Sequence, residues 1–191
     1  MFKEIEFDRS LLKYKTDQNV KRRFMNWYEL DIICYYAQIT KGNILEIGCN
    51  TGETTLELSK ARPYRNIYAV DTYKTENINQ EYERPDEICK HAKNQNNVVV
   101  FERKSNDLDY RYIDVTFAFL DGDHRYKSIE YDFNQLYPKC DYILLHDYIK
   151  DNNHPWVGTK KFVDDNKDKY NIVHFKNTIL ILIYGGLYEY S

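Results

Sequence analysis

The sequence predicts an α/β protein of three layers, a mostly parallel sheet between two layers of helices, closed by an antiparallel hairpin. Three observations predict it. Short apolar runs at 43–47, 66–71, 98–101, 115–120 and 141–145 have the aliphatic and β-branched character of strands buried on both faces. Stretches of helical period or polar character separate them, and such alternation calls for parallel strands joined by crossover helices. Finally, 172–175 and 178–183 are apolar runs joined by Lys176-Asn177, a connection that implies a hairpin.

Residues 1–19 mix charged and apolar groups without a period and read as an arm. From Lys21 to Ile39, the residues Phe24, Tyr28, Ile32, Tyr35 or Tyr36, and Ile39 recur every three or four positions, striping one face of a long helix. Gly42 is expected to end it. Ile44, Leu45 and Ile47 make the first strand, with a helix from Glu53 to Ala61 behind it. Pro63 interrupts, and Ile67 to Val70 make the second strand. A polar helix is expected from about Gln80 to Asn94, with Pro85 near its start. Val98 to Phe101 is the third strand, and Ser105 to Ile113 a turn feeding a short helix. Val115 to Leu120 is the fourth strand. Tyr126, Ile129, Phe133 and Leu136, spaced three, four and three, predict a helix to Tyr137. Asp141 to Leu145 is the fifth strand, and a helix from Trp156 to Lys169 opens at Pro155. The count is seven strands in one domain, residues 1–191, with 1–40 an N-terminal arm and helix.

The composition sets bounds. With 191 residues, 42 % hydrophobic and 30 % charged, the chain can bury a core without disulfides or metals. A formal net charge of −3 argues against a binder of nucleic-acid backbones. Lys21-Arg22-Arg23 is a local basic run, read either as a basic patch or, with better odds, as a solvated helical turn. Cys34, Cys49, Cys89 and Cys140 stand singly, which disfavours structural zinc and fits free thiols in a reducing compartment. No run is long and apolar enough to span a membrane, so a cytoplasmic location is expected.

Parallel strands bring their carboxyl-end residues to one edge of the sheet, where ligands bind. After the first strand, Glu46 stands where a dinucleotide-binding loop has its first glycine. A carboxylate there repels a pyrophosphate and suits a cofactor with positive charge and no phosphate, as in S-adenosylmethionine. Gly48 and Gly52 leave room where the chain turns and where a ligand approaches. Asp71, 19 positions after Gly52, is either the acid that accepts from both ribose hydroxyls or a turn aspartate. The fourth and fifth strands end in Asp121-Gly122-Asp123-His124 and His146-Asp147-Tyr148.

Glu-x-Gly-x-x-x-Gly, the acid ending the second strand and the hairpin-closed strand pattern resemble the class I S-adenosylmethionine-dependent methyltransferases, with their Rossmann-like fold. More narrowly, AFLDGDHRYKSIEYDF followed by LLHDY is similar to the group of macrocin-type sugar O-methyltransferases, and cephalosporin-hydroxylase-like proteins share related motifs. The likeness covers about residues 41–184. It implies that Glu46, Gly48, Asn50, Thr51 and Gly52 surround the methionine part of the cofactor. Asp71 and Thr72 then face the ribose, Ser105 and Asn106 the adenine edge, and Asp121 lies against the cofactor as well. Asp121 and Asp147 match carboxylates that ligate Mg²⁺ or another divalent cation beside the acceptor oxygen, and His124 falls where such enzymes place a general base.

Two aspartates at adjacent strand ends can converge on one hard cation, with oxygen ligands filling its shell. Each residue also has a plainer reading. Asp121 to Asp123 make a solvated turn with a helix cap, and His124 packs locally. His146 is a substrate contact, a metal neighbour or a brace for Asp147. Tyr148 stands where catechol-type relatives place an asparagine ligand, which leaves the third ligand open, with Asp123 one candidate substitute. Trp156, Tyr126 and Tyr73 either stack on adenine or substrate, or belong to the core, the safer reading in a chain with 19 tyrosines. The expected function is cation-assisted O-methylation of a small hydroxylated acceptor such as a sugar. The alternatives are a protein or RNA acceptor, or a cofactor-binding module without activity. Homo-oligomerisation is left open.

Overall fold

The computed structural model describes residues 2–20, 22, 25–72, 88–151 and 153–185. The arm is not loose. Its Lys3–Ile5 strand (β1) adds an eighth strand to the expected seven, pairing parallel with the first hairpin strand. Phe7 packs on Tyr28, Tyr35 and Phe175. Thr16 donates to the buried Asp31 through its amide and its hydroxyl, and Arg9 pairs with the same carboxylate.

The first helix, Trp27–Ile39 (α1), starts six residues later than its periodicity suggests. The reason is Asn26, whose Oδ1 accepts from the amides of Tyr28 and Glu29 at 3.0 and 2.9 Å and caps the helix there. Burial also departs from the single stripe. Leu30, Ile32, Ile33, Tyr36 and Ala37 are all buried because the arm covers the face that would otherwise meet water, while Ile39 is exposed. Arg22, expected in a solvated helical turn, instead pairs with Glu57 at 3.3 Å with both side chains buried. Lys21, Arg23 and Phe24 lie outside the described residues. Gly42 does not end α1. Thr40 does, in extended conformation, and Gly42 packs where a Cβ would stand 2.6 Å from the Thr116 side chain.

The remaining elements follow the reading closely: Asn43–Ile47 (β2), Glu53–Ala61 (α2), Ile67–Asp71 (β3) and Val98–Glu102 (β4). Then come Val115–Leu120 (β5), Tyr126–Leu136 (α3), Tyr142–Leu145 (β6), Gly158–Asn166 (α4), Asn171–Phe175 (β7) and Ile181–Tyr184 (β8). The expected helix near Gln80–Asn94 falls mostly on residues outside the description, and 88–97 form turns. Two short 3-10 turns occupy Ser105–Asp107 and Tyr110–Tyr112. The hairpin loop is 176–180, longer than Lys176-Asn177 alone.

The sheet order is β1-β7-β8-β6-β5-β2-β3-β4, and only β8 runs antiparallel to its neighbours. Alternate residues of each strand feed two cores. Phe117, Phe119 and Ile44 pack with α1, whereas Ala118, Leu120 and Leu45 pack with Phe133 of α3 and Phe162 of α4. The chain leaves β2 towards β3 and β4, then returns to β5 on the other side of β2. That reversal opens a crevice between the carboxyl ends of β2 and β5, where an α/β sheet places its ligand.

Candidate functional site

On the β2 side the crevice is built by backbone. Gly48 has φ +93°, and a Cβ there would stand 2.1 Å from the carbonyl oxygen of Asp121. Its glycine identity thus serves the close approach of β2 to β5, where the sequence had suggested the approach of a ligand. Gly52, at φ +84°, meets Cys89 in the same way. Asn50 also takes a left-handed conformation, φ 45°. Its amide donates to Asp71 Oδ2 at 2.5 Å, and the Thr72 amide donates to Oδ1 at 2.6 Å. The carboxyl that was expected to meet ribose therefore also ties the glycine loop to the end of β3. Burial raises its pKa, although the two amides pull the other way. The Cys89 and His91 amides close the loop onto the carbonyls of Asn50 and Thr51.

Glu46 is not a free anion facing the crevice. It is 1 % exposed, accepts from Thr55 Oγ1 at 2.5 Å, and burial pushes its carboxyl well above the usual range. Ser105 donates to Asp132 Oδ2 at 3.0 Å and Tyr110 donates to Oδ1 at 3.1 Å. Ser105 is thus turned towards α3, while Asn106 beside it is exposed. Burial raises the Asp132 pKa to about 6.

On the β5 and β6 side, charge meets charge. His146 Nδ1 lies 3.0 Å from Asp121 Oδ1 and 3.4 Å from Asp147 Oδ1, bridging the two strand ends. Burial disfavours a charged ring, yet Asp121, Asp147 and Glu29 outweigh it and hold the His146 pKa well above the ordinary value. Its Nε2 is buried without a hydrogen-bond partner and faces Glu29 Oε2 at 3.9 Å. Glu29, from α1, is a member of this cluster that the sequence reading missed. Its one signal was an acid on an apolar helix, and its Oε1 accepts from the Ile179 amide at 3.1 Å.

Asp147 sits at φ 59°, a conformation costly for a non-glycine residue and typical of functional turns. Its Oδ2 is 3.1 Å from His124 Nδ1. Burial alone would raise the Asp147 pKa, but the hydrogen bond from His146 and the charges of His146, His124 and His154 hold it below the usual range. The ligand atoms of Asp121, His124 and Asp147 lie within 4.8 Å of one another, a separation that suits one metal ion. The Trp156 ring covers His124 at 4.7 Å between centroids and is 41 % exposed, so it belongs to the site edge and not the core. Tyr126 packs on Phe162 as the plainer reading had it, and Tyr73 lies outside the described residues.

Neither candidate for a third ligand joins the cluster. Asp123 is held by Arg125 and by Ser128 Oγ at 2.7 Å, just before the start of α3. Tyr148 donates to Asp164 of α4 at 3.2 Å, and its pKa is pushed up to about 12 by burial and by that carboxylate. The imidazole of His124 is closer to the third-ligand position than either.

Residues 45–148 match the family described as "Methyltransferase domain". Solved structures share the fold at low identity. The calicheamicin methyltransferase CalS11 is 14 % identical at a TM-score of 0.66, over 83 % of this chain and 78 % of that one. The O-methyltransferase TomG of Streptomyces achromogenes, solved with SAM, is 15 % identical at a TM-score of 0.60, over 85 % and 82 %. The precorrin-6y C5,15-methyltransferase of Geobacter metallireducens GS-15 is 16 % identical at 0.58, over 86 % and 89 %. No curated protein matches the sequence. Among the described residues no helix is long and apolar enough to cross a membrane.

Proposed function

The chain belongs to the methyltransferase-domain family, and on that premise we propose that it is an S-adenosylmethionine-dependent O-methyltransferase, assisted by a divalent cation and acting on a small hydroxylated acceptor such as a sugar. The observation that carries this reading is the contact of His124 Nδ1 with Asp147 Oδ2, 3.1 Å, beside Asp121 at the point where the sheet order reverses.

The residues present suit both groups. The crevice edge carries the acids Asp71 and Asp121, which favour a cationic, phosphate-free cofactor. Each Asp71 oxygen accepts one amide and keeps a lone pair for a ribose hydroxyl. Gly48, Asn50, Thr51 and Gly52 would line its methionine end with Glu46 buried behind them, and Ser105 and Asn106 its adenine edge. Asp121 and Asp147 would hold Mg²⁺ or a similar cation. Participation of the His124 imidazole would favour a transition metal such as Mn²⁺ over Mg²⁺. When bound, the cofactor supplies an electrophilic methyl group and the cation supplies positive charge beside the acceptor oxygen.

The work of the chain itself is orientation and proton transfer. Asp147 accepts from His124 Nδ1–H, which fixes the tautomer and leaves Nε2 free to take the acceptor hydroxyl proton. The Trp156 ring lies against the His124 ring at a 31° tilt and limits its rotation. His146 keeps the two carboxylates together, with Glu29 behind it. Most of the rate advantage then comes from positioning.

The test is methyl transfer from S-adenosylmethionine to a panel of hydroxylated acceptors, with Mg²⁺, with Mn²⁺ and with chelator. Transfer that chelation abolishes, and that Asp121→Asn abolishes while calorimetric cofactor binding persists, is the expected result. A chain that fails to bind the cofactor sinks the reading.

A further inference from the structure

Next to the acidic cluster, the same edge of the sheet holds a second cleft of about 430 Å³, which the proposed mechanism does not use. Its walls include Tyr148, Lys150, His174, Lys176, Thr178 and Glu4. The volume falls in the range of small-molecule sites. Resting on the methyltransferase reading, we propose that this cleft is the acceptor subsite and that it selects acceptors bearing an anionic group, a phosphate or a carboxylate, held by Lys150 and Lys176.

Position comes first. Tyr148 follows Asp147 directly, and its amide donates to the Ile179 carbonyl at 2.9 Å. The Ile179 amide donates in turn to Glu29, the acid facing His146. One wall of the cleft is therefore continuous with the cluster. Lys150 follows Asp147 by three positions, so their Cα atoms lie at most about 11 Å apart. A sugar-sized acceptor can present a hydroxyl to His124 and an anionic arm to the lysines.

Charge comes second. The chain carries a net charge of −3, yet this cleft is locally basic. Its one lining acid, Glu4, is committed: its Oε1 lies 3.0 Å from His174 Nδ1 and 3.7 Å from Lys150 Nζ. The other His174 nitrogen meets the Thr178 carbonyl at 3.0 Å. Both ring nitrogens thus face oxygen atoms within the fold. Among the described residues the Lys176 ammonium has no carboxylate within ion-pair distance. Lys150 and Lys176 both line the cleft and suit a phosphate or carboxylate as point charges, and the attraction should weaken with salt.

The test uses the isotope-labelled full chain with S-adenosylhomocysteine and Mg²⁺. It is titrated separately with glucose, glucuronate, glucose 1-phosphate and a nucleoside diphosphate glucose. The shifts of the Lys150 and Asn177–Ile179 amides report the cleft. At least one anionic sugar should perturb those amides and bind about tenfold or more tightly than glucose, more weakly at 0.5 M salt. Comparison of the glucuronate and phosphate arms tells which anion is preferred. Lys150→Ala combined with Lys176→Ala should cost about tenfold or more, and Lys176→Arg should restore part of it. Equal binding of glucose, an unaffected double variant, or no anionic sugar reaching those amides each overturns the proposal. Cofactor affinity is measured on the same samples. Tight cofactor binding with a failed anion arm removes only this inference, whereas absent cofactor binding removes the methyltransferase reading beneath it.

Discussion

The two sides of the crevice spend their polar groups differently. On the β2–β3 side, Asp71 accepts two loop amides and Glu46 accepts the Thr55 hydroxyl. Asp71 shapes backbone, and Glu46 is buried on a side-chain hydroxyl. On the β5–β6 side, Asp121 and Asp147 face the imidazoles of His146 and His124, and Asp147 is held in a left-handed turn. Those acids face titratable partners, at a strand end whose backbone is strained. The difference teaches that acids at neighbouring strand ends take different parts: one side fixes a loop, the other pairs with imidazoles.

The largest expected effect probes the second side. His124→Ala should lower methyl transfer by about 10²- to 10⁴-fold, the range for losing a general base. Cofactor binding should be unchanged, by calorimetry. Mn²⁺ binding, followed by electron paramagnetic resonance, separates the two parts His124 can play: it persists if the ring is the base and falls if the ring is a ligand. Next, Gly48→Ala should destabilise the fold by about 3 kcal/mol in urea unfolding, because the new Cβ adds a left-handed strain to a clash with Asp121. A near-neutral result would mean that the β2–β5 approach is looser than described.

Asp132, beneath the acidic loop, gives a smaller and pH-dependent effect. Its pKa is about 6 in the fold, above the ordinary carboxylate value, so the folded state binds the extra proton between about pH 4 and 6. This group therefore stabilises the fold at low pH relative to neutrality, and that contribution is lost as pH rises through 6. Asp132→Asn should remove this part of the slope, on the order of 2 kcal/mol across the window, in unfolding measured from pH 4 to 7. Smallest, Asp71→Ala should weaken cofactor binding about tenfold, or about 1.4 kcal/mol. A variant with unchanged affinity would confine Asp71 to holding the loop and sharpen the contrast between the two sides.

Much of the fold was legible because strand and helix periods and glycine punctuation are local signals. Ile129, Phe133 and Leu136 face the core as their spacing implied. The start of α1 was misplaced because a cap at Asn26 overrides a pattern that continues through it. The arm's strand was invisible because three residues, Lys3–Ile5, carry no period and pair with β7, some 170 positions away. In the candidate site, the grouping of Asp121, His124 and Asp147 was legible from their strand-end positions. Glu29 and the stacking of Trp156 were not, since each depends on another element folding over it.

The sequence by itself determined the alternating architecture, the edge where chemistry gathers and the acids that stand there, because all three follow from short-range pattern and parallel topology. The tertiary structure decided what each acid does. A carboxyl becomes a loop tie, a buried group of raised pKa or a partner of imidazole according to the donors that distant elements bring within 3 Å, and to how much water they exclude. Spacing along the chain carries neither quantity.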